Sequence, residues 1–495
     1  MRYTNPVVKG FYPDPSVCRA NGKYYMVCSS FQYFPAIPLF ESEDLVNWNQ
    51  LGHVLTRESQ VMLDGVASSG GVFAATIRFH QGRFYVVTTN NSTQENFFVY
   101  ADDIHGPWSE PVRVDQGGID PSLYFENGHT YFMSNGLDDQ GQPGIAQCEI
   151  DPCTGQKRSP SRSIWQGTGG RFLESPHLYK IAGRYYLMAA EGGTEYGHMI
   201  TMARADSLWG PFTPFPENPL LTNRNRAPYL IQGIGHGDLV QGPDGGWYIL
   251  SLGFRQIDLW MAYHHLGREV FLTPIGLDAD GWFRAGHGGT TEFCYEIPGD
   301  FVQQEKRLYT FENTRWDVDW CFLRHPHREN YTLLEDRAIL RGTAVTLEAC
   351  ASPTFVGLRQ RDFCGEVSCE VRLDGGEAGL TVYMSEWEHY DLALRPGEAV
   401  LKLHIGDAKH LAARIPLTGK QAKLTIRMEP KAYHFYVSDG AREFCLGHAQ
   451  SKYLSTEVSG GFTGVMLGLY AIEGVGEFRE YRYEIQQAAP AEVVC

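Results

Sequence analysis

Between residues 10 and 290, short runs of aromatic and β-branched residues alternate with clusters of Gly, Pro, Asn and Asp. Helical periodicity is scarce there, so the pattern predicts strands joined by tight turns. One unit sets the theme. After Gly10-Phe11-Tyr12-Pro13-Asp14-Pro15-Ser16 come a strand-like run from Val17, an Asn21-Gly22 turn and a second run, Tyr24-Tyr25-Met26-Val27. Counted from Asp14, a turn glycine falls eight residues later (Gly22) and a tyrosine eleven later (Tyr25). Both offsets recur from Ala74 (Gly82, Tyr85), Asp120 (Gly128, Tyr131), Ser175 (Gly183, Tyr186) and Gly237 (Gly245, Tyr248). The five starts lie 60, 46, 55 and 62 residues apart. That spacing suits one four-stranded sheet per repeat and predicts a five-bladed β-propeller. Pro15 biases Asp14 toward extended backbone, so its carboxylate is expected in a stiff, extended segment.

From about Leu308 the repeat disappears and another set of strands begins. Examples are Ala338–Leu340, Glu366–Leu373, Gly379–Met384, Tyr390–Leu394, Val400–His404, Ala422–Met428, Tyr433–Ser438 and Val465–Tyr470. Lys423-Leu424-Thr425-Ile426-Arg427-Met428 alternates polar and apolar, as half-buried antiparallel strands do. The expectation is an all-β chain: a propeller over 1–295, a short linker around 292–308 and a β-sandwich over 308–490. The composition after Gln487 reads as a tail.

Composition narrows the partners. The chain has 495 residues, 42 basic against 58 acidic, for a net charge of −16, which argues against nucleic acid and anionic membrane. The simpler meaning of that charge is solubility. Aromatics at 13% and 54 glycines point to turn-rich β structure with surfaces on which sugars could stack. The start lacks the regions of a signal peptide, and the 11 cysteines are scattered, so reduced thiols in a cytoplasm are expected. Cys148 and Cys153 are the only tight pair on a plausible loop, open to a disulfide or metal reading. The oligomeric state stays open, a homo-oligomer included.

In a propeller the first strand of each blade lines the central channel, so equivalent positions of distant repeats meet at one mouth. Asp14 and Asp120 share a place, each in Asp-Pro-Ser; Glu174 stands one residue ahead of that place in repeat four, and His236 one ahead in repeat five. Asp-Pro-Ser by itself can be a turn device. Three carboxylates around one cavity, however, repel one another at a cost that a function would explain. Two acids in opposite protonation states are what glycoside hydrolysis needs, and a third can tune the proton donor. Phosphate-binding Walker loops, metalloprotease His-Glu pairs and serine elbows are absent. Gly192-Gly193-Thr194-Glu195-Tyr196-Gly197 follows a repeat hairpin and reads as a pocket-edge loop.

These stretches resemble glycoside hydrolase family 43, the β-xylosidase and α-L-arabinofuranosidase group. The matching residues are Asn5-Pro6 through Ser16, Ser69-Gly70-Gly71 through Arg78, Gly118 through Leu123, Glu174 through Lys180, Glu191 through Arg204, and Leu266-Gly267-Arg268-Glu269. The second half is similar to the concanavalin-A-like domain of long members. The resemblance implies an inverting exo-glycosidase releasing xylose from β-1,4-xylooligosaccharides, with α-L-arabinofuranosidase activity as a side or main reaction. It implies Asp14 as general base, Glu174 as general acid and Asp120 as the acid that tunes Glu174, with Asp14 and Glu174 about 6.5–9.5 Å apart. Arg268 resembles a substrate-binding arginine, and His236 a channel histidine beside which some members hold calcium. Phe31 and Phe73 resemble the wall on which a pentose stacks, and Phe462, in Gly461-Phe462-Thr463-Gly464, a residue closing one side of the pocket. Position 73 departs from the usual tryptophan, and Ala75 from the usual proline. Taken singly, the three phenylalanines also fit a core, Arg268 a surface charge and His236 a structural hydrogen-bonder. A non-catalytic carbohydrate-binding propeller is the alternative of another class.

Overall fold

The computed structural model describes residues 2–311 and 314–486. The expected end of the second domain at 490 and the tail after Gln487 lie outside the described residues. Each predicted hairpin opens one four-stranded antiparallel blade. The pairs are Ser16–Ala20 with Lys23–Val27, Val72–His80 with Arg83–Asn90, Ile119–Glu126 with His129–Leu137, Glu174–Ile181 with Arg184–Glu191, and Ile231–Gln241 with Trp247–Arg255. The recurring glycine now has its reason. Asn21-Gly22, Gln81-Gly82, Asn127-Gly128 and Ala182-Gly183 each place two consecutive residues in the left-handed region, with φ of 53/83, 49/83, 51/81 and 49/82. Two such residues in a two-residue loop match the twist of the flanking strands, and glycine adopts the second without a steric penalty.

The ring is clasped by its own N-terminus. Arg2–Thr4 pairs with Cys294–Glu296, Val8 bridges Val270, and the Asn5 side chain bonds both the N–H and the C=O of Leu272. The first residues of the expected linker are therefore part of this clasp. Cys148 and Cys153 are both free, one buried in a strand and the other exposed, so they form no disulfide with each other.

The second half is a sandwich of two eight-stranded sheets. Its core interleaves Val367, Ile426, Phe435 and Phe478 from one sheet with Leu358, Leu380, Leu392 and Leu469 from the other. All eight strands named from the sequence are present, within two residues at their ends. Ala408–Pro416 went unnamed because it is an outermost strand, largely exposed, and carries no apolar alternation. The two halves also share a sheet. Tyr33–Phe34, from within the propeller sequence, pairs with Cys321–Leu323 at the edge of one sandwich sheet. Beside that seam the buried Arg324 donates to the carbonyls of Val66 and Ala351 and pairs with Glu386.

Candidate active site

One expectation fails at the mouth of the channel. Asp14, Asp120 and Ser175 each precede a proline, yet all three have positive φ (57, 52 and 55), as does His236 (39). The register of the first strand slips at this point in blades two to five, between Val72 and Ala75, Ile119 and Ser122, Glu174 and His177, and Gln232 and Gly237. These bulges override the local preference and re-aim the side chains, a use to which bulges beside active sites are commonly put. Each left-handed non-glycine residue costs of order 1–3 kcal/mol.

The serines of Asp-Pro-Ser hold the bulged ends in place. Ser16 Oγ donates to Asp238 Oδ2 at 2.7 Å and accepts from the N–H of Ile77 at 3.1 Å, joining blades one, two and five. Ser122 Oγ donates to the carbonyl of Pro176 at 2.5 Å, joining blades three and four. Deeper in the channel, Arg78 bonds Asp238 at 2.7 Å and His177 Nδ1 at 2.9 Å, and the Tyr179 hydroxyl donates to the other Asp238 oxygen. All of these residues but Asp238 lie in stretches quoted for the family resemblance, and nothing in their spacing announced the network.

Above it the predicted groups meet. Asp14 is buried, and its Oδ2 accepts from Ser29 Oγ while its Oδ1 accepts from Arg268 Nη1 at 3.0 Å. His236 Nδ1 stands 3.7 Å from Asp14 Oδ1 and 3.6 Å from Asp120 Oδ2, bridging the two acids. Burial by itself would raise the Asp14 carboxyl, but Arg268, His236 and the Ser29 bond outweigh it, and it lies below the usual value. Glu174 goes the other way. Its burial and the charge of Asp14 outweigh Arg268 and lift it to about 7. Asp120 is raised by burial and by the charges of Glu174 and Asp14. One acid is thus held ionised, while a second pair keeps a proton near neutrality.

The aromatic residues converge as well. Phe31 stacks on Phe462 with centroids 5.9 Å apart, and Phe73 packs 5.4 Å from Phe31 and 6.0 Å from Phe462. The Arg268 guanidinium lies over Phe31 and Phe462 at 5.8 and 5.7 Å. Phe31 is buried; Phe462 is exposed, so it presents a free face. Its loop reaches over from the sandwich, with the Phe462 N–H donating to Ser69 Oγ at 2.8 Å and its carbonyl accepting from Arg268 at 3.3 Å. The glycine-rich loop lines the edge, where Thr194 Oγ1 accepts from Arg268 at 2.8 Å. Tyr196 of that loop donates to Glu457 of the sandwich at 2.8 Å.

Three positions escaped sequence reasoning. Ser29, in an unremarkable Ser-Ser pair, steadies Asp14. His198 is buried, held neutral with its pKa pushed down to about 3 chiefly by burial, and bonds the Gly233 carbonyl at 3.2 Å. Gly235 makes room for it, since a Cβ there would sit 2.3 Å from the imidazole. Elsewhere, Glu348, His389 and His404 of the sandwich bring donor atoms within 4.8 Å of one another.

The comparisons with known proteins agree with this geometry. The model for glycosyl hydrolases family 43 matches residues 3–283, and that for the beta xylosidase C-terminal concanavalin A-like domain matches residues 309–481. The chain is 39% identical over 490 residues to a non-reducing end alpha-L-arabinofuranosidase of Bacteroides ovatus, covering 95% of this chain and 91% of that one. It is 30% identical to a beta-xylosidase of Bacillus subtilis, covering 98% of this chain and all of the other. Among solved structures, the Bacteroides ovatus xyloglucan-locus protein superposes with a TM-score of 0.92 at 36% identity, covering 98% of this chain and 100% of that one. A xylan beta-1,4-xylosidase from Bacillus halodurans gives 0.89 at 30% identity, covering 97% and 99%. Five blades, a ring of acids at one channel mouth and a sandwich loop reaching over it are carried by a chain that belongs to glycosyl hydrolase family 43.

Proposed function

We propose that this protein removes single pentose units from the non-reducing ends of short β-1,4-xylooligosaccharides, with inversion, and also cleaves terminal α-L-arabinofuranosides. The observation that carries the reading is the opposed protonation of two acids in one pocket: Asp14 held low, Glu174 lifted to about 7. In the forward step, Asp14 takes a proton from water as that water attacks the anomeric carbon. Glu174 gives its proton to the glycosidic oxygen as the bond to the leaving sugar breaks. The oxygen–carbon bond forms on the face opposite the one that breaks, so the product anomer is inverted. Burial and the charge of Asp14 keep Glu174 protonated, while Asp120, itself raised by burial and by the charges of Glu174 and Asp14, is fixed by the Ser175 N–H bonded to it. Arg268, already on Asp14 and Thr194, has donors to offer sugar hydroxyls, and Phe31, Phe73 and Phe462 offer apolar faces to a pentose.

The reading routes no step through calcium. Calcium takes six to eight oxygen ligands. Beside His236 stand the Asp14 and Asp120 carboxylates, the first bonded to Arg268 and Ser29 and the second to the Ser175 N–H. One imidazole and two engaged acids do not make such a cage.

The relatives' names favour a second reading, arabinofuranosidase as the main activity, since the Bacteroides ovatus protein carries that name at 39% identity. The two substrates differ in ring form and hydroxyl placement, and one hydroxyl left unpaired is worth on the order of 1–3 kcal/mol. Rates on xylobiose, an aryl β-xyloside and an aryl α-L-arabinofuranoside, measured side by side, decide between them. Turnover of none of the three would end both readings. Asp14→Ala and Glu174→Ala should each lose about 10²–10⁴-fold in kcat with the fold intact. Glu174→Ala should recover most on a substrate whose leaving group needs no proton.

A further inference from the structure

The sandwich holds a polar cluster that the proposed hydrolysis does not use. His389 and His404 face each other across paired strands, Glu388–Arg395 and Glu398–Ile405, and both are buried. His389 Nδ1 lies 2.9 Å from Asp391 Oδ1, which also accepts from Thr381 at 2.8 Å. The carboxylate accepts from His389 Nδ1–H, which leaves Nε2 to face His404 Nδ1 at 3.1 Å. Glu348 Oε1 stands 3.9 Å from the same His404 nitrogen, on a half-exposed side chain. Lysines take the outer oxygens of both acids: Lys402 lies 3.2 Å from Asp391 Oδ2, and Lys409 bonds Glu348 Oε2.

We propose that Glu348, His389 and His404 form a zinc site in the sandwich, separate from the acid pocket. Two imidazoles and one carboxylate are a transition-metal donor set, and with solvent in the fourth position they complete a tetrahedron. Two nitrogens each about 2.0–2.1 Å from zinc at a tetrahedral angle sit about 3.3 Å apart. The observed 3.1 Å therefore needs only a small adjustment, with the His404 proton moving to its other nitrogen. Asp391 supplies the carboxylate–histidine partner that orients metal-bound imidazoles and raises their basicity.

The consequence is mechanical. Glu348 follows Leu347, which packs with Phe11, Phe31 and Tyr383 at the seam between the two halves, and His389 stacks on Tyr383 at 5.9 Å. A metal here ties the segment around Glu348 to the sheet face that carries the seam.

The test is calorimetric titration of zinc into the tag-free, chelator-treated full-length protein, with calcium as a control. One saturable equivalent of zinc is expected, and none of calcium. Glu348→Gln, a change at a half-exposed side chain whose folding a circular-dichroism melt checks, and Asp391→Asn should each weaken zinc binding by about tenfold or more. Cobalt in place of zinc should give a tetrahedral visible spectrum with no thiolate charge-transfer band, which separates this site from the protein's free cysteines. Absence of a saturable equivalent, unchanged affinity in Glu348→Gln, or a thiolate band that vanishes on alkylation would each overturn the proposal.

Discussion

Replacing Arg268 with methionine keeps the length of the side chain and removes the guanidinium that touches Asp14. Arg268 Nη1 lies 3.0 Å from Asp14 Oδ1, and both side chains are nearly buried, at 6% and 7% exposure. A cation so close lowers a carboxyl by roughly 1–3 pH units, and little solvent is present to screen it. Arg268 lowers Glu174 and Asp120 as well. The pH profile of kcat/KM reports both acids. Activity rises as Asp14 loses its proton and falls as Glu174 loses its own, so the wild-type alkaline limb belongs near 7. In Arg268→Met both carboxyls rise. The acid limb should move up by about 1–3 pH units, and the alkaline limb should move in the same direction by less. The whole bell shifts toward alkali and narrows. Breaking a buried pair also costs about 3–5 kcal/mol of stability, so a circular-dichroism melt must show that the variant is folded at assay temperature. The assay is initial rate on an aryl β-xyloside across the pH range. An unmoved acid limb, in a folded variant, would mean that Asp14 is not the group titrating there and would remove it as the base.

Other outcomes follow from the same contacts. Following the products of aryl β-xyloside cleavage by proton NMR from the first turnovers should show α-xylose appearing first; β-xylose first would point to retention. Phe462→Ala strips one face from the aromatic corner and should raise KM by roughly two- to tenfold, with a smaller change in kcat. Asp238→Asn breaks the pair with Arg78 and should cost about 3–5 kcal/mol at neutral pH. The folded pKa of Asp238 is depressed, because Arg78 and its hydrogen bonds outweigh burial. Its stabilisation is therefore present above the unfolded value of about 3.9 and is lost as pH falls through the folded one, so the melting difference between wild type and variant should shrink only in strong acid. Chelation should leave turnover unchanged, and a loss restored by calcium would reinstate a metal beside His236.

Much of the architecture was legible because its signals are local. A two-residue hairpin needs a left-handed second residue, so Gly22, Gly82, Gly128 and Gly183 mark the blades directly in the chain. Equal offsets from those turns then place Asp14, Asp120, Glu174 and His236 at equivalent strand starts, and a closed ring brings equivalent positions together. The pre-proline preference misled at Asp14, because it describes an isolated dipeptide. Here the bonds from Ser29 and Arg268 on Asp14 outweigh it. Ser29 left no trace, and Thr194 and His198 were legible only as members of a stretch, since single hydroxyls and a lone imidazole become meaningful only beside their partners.

The sequence by itself determined the all-β repeats, the ring of acids and the kind of chemistry they suit, because turn geometry and carboxyl chemistry are properties of short segments. The resemblance implied which acid is ionised and which protonated, and the tertiary structure supplies the physical cause: Arg268, His236 and Ser29 lower Asp14, and burial with the Asp14 charge raises Glu174. The folded structure seats the expected sandwich loop on Ser69 and Arg268, and it alone shows that Glu348 reaches two histidines more than 40 residues away. Those outcomes depend on burial and on Coulomb interactions between residues distant in the chain, which exist only once the chain has folded.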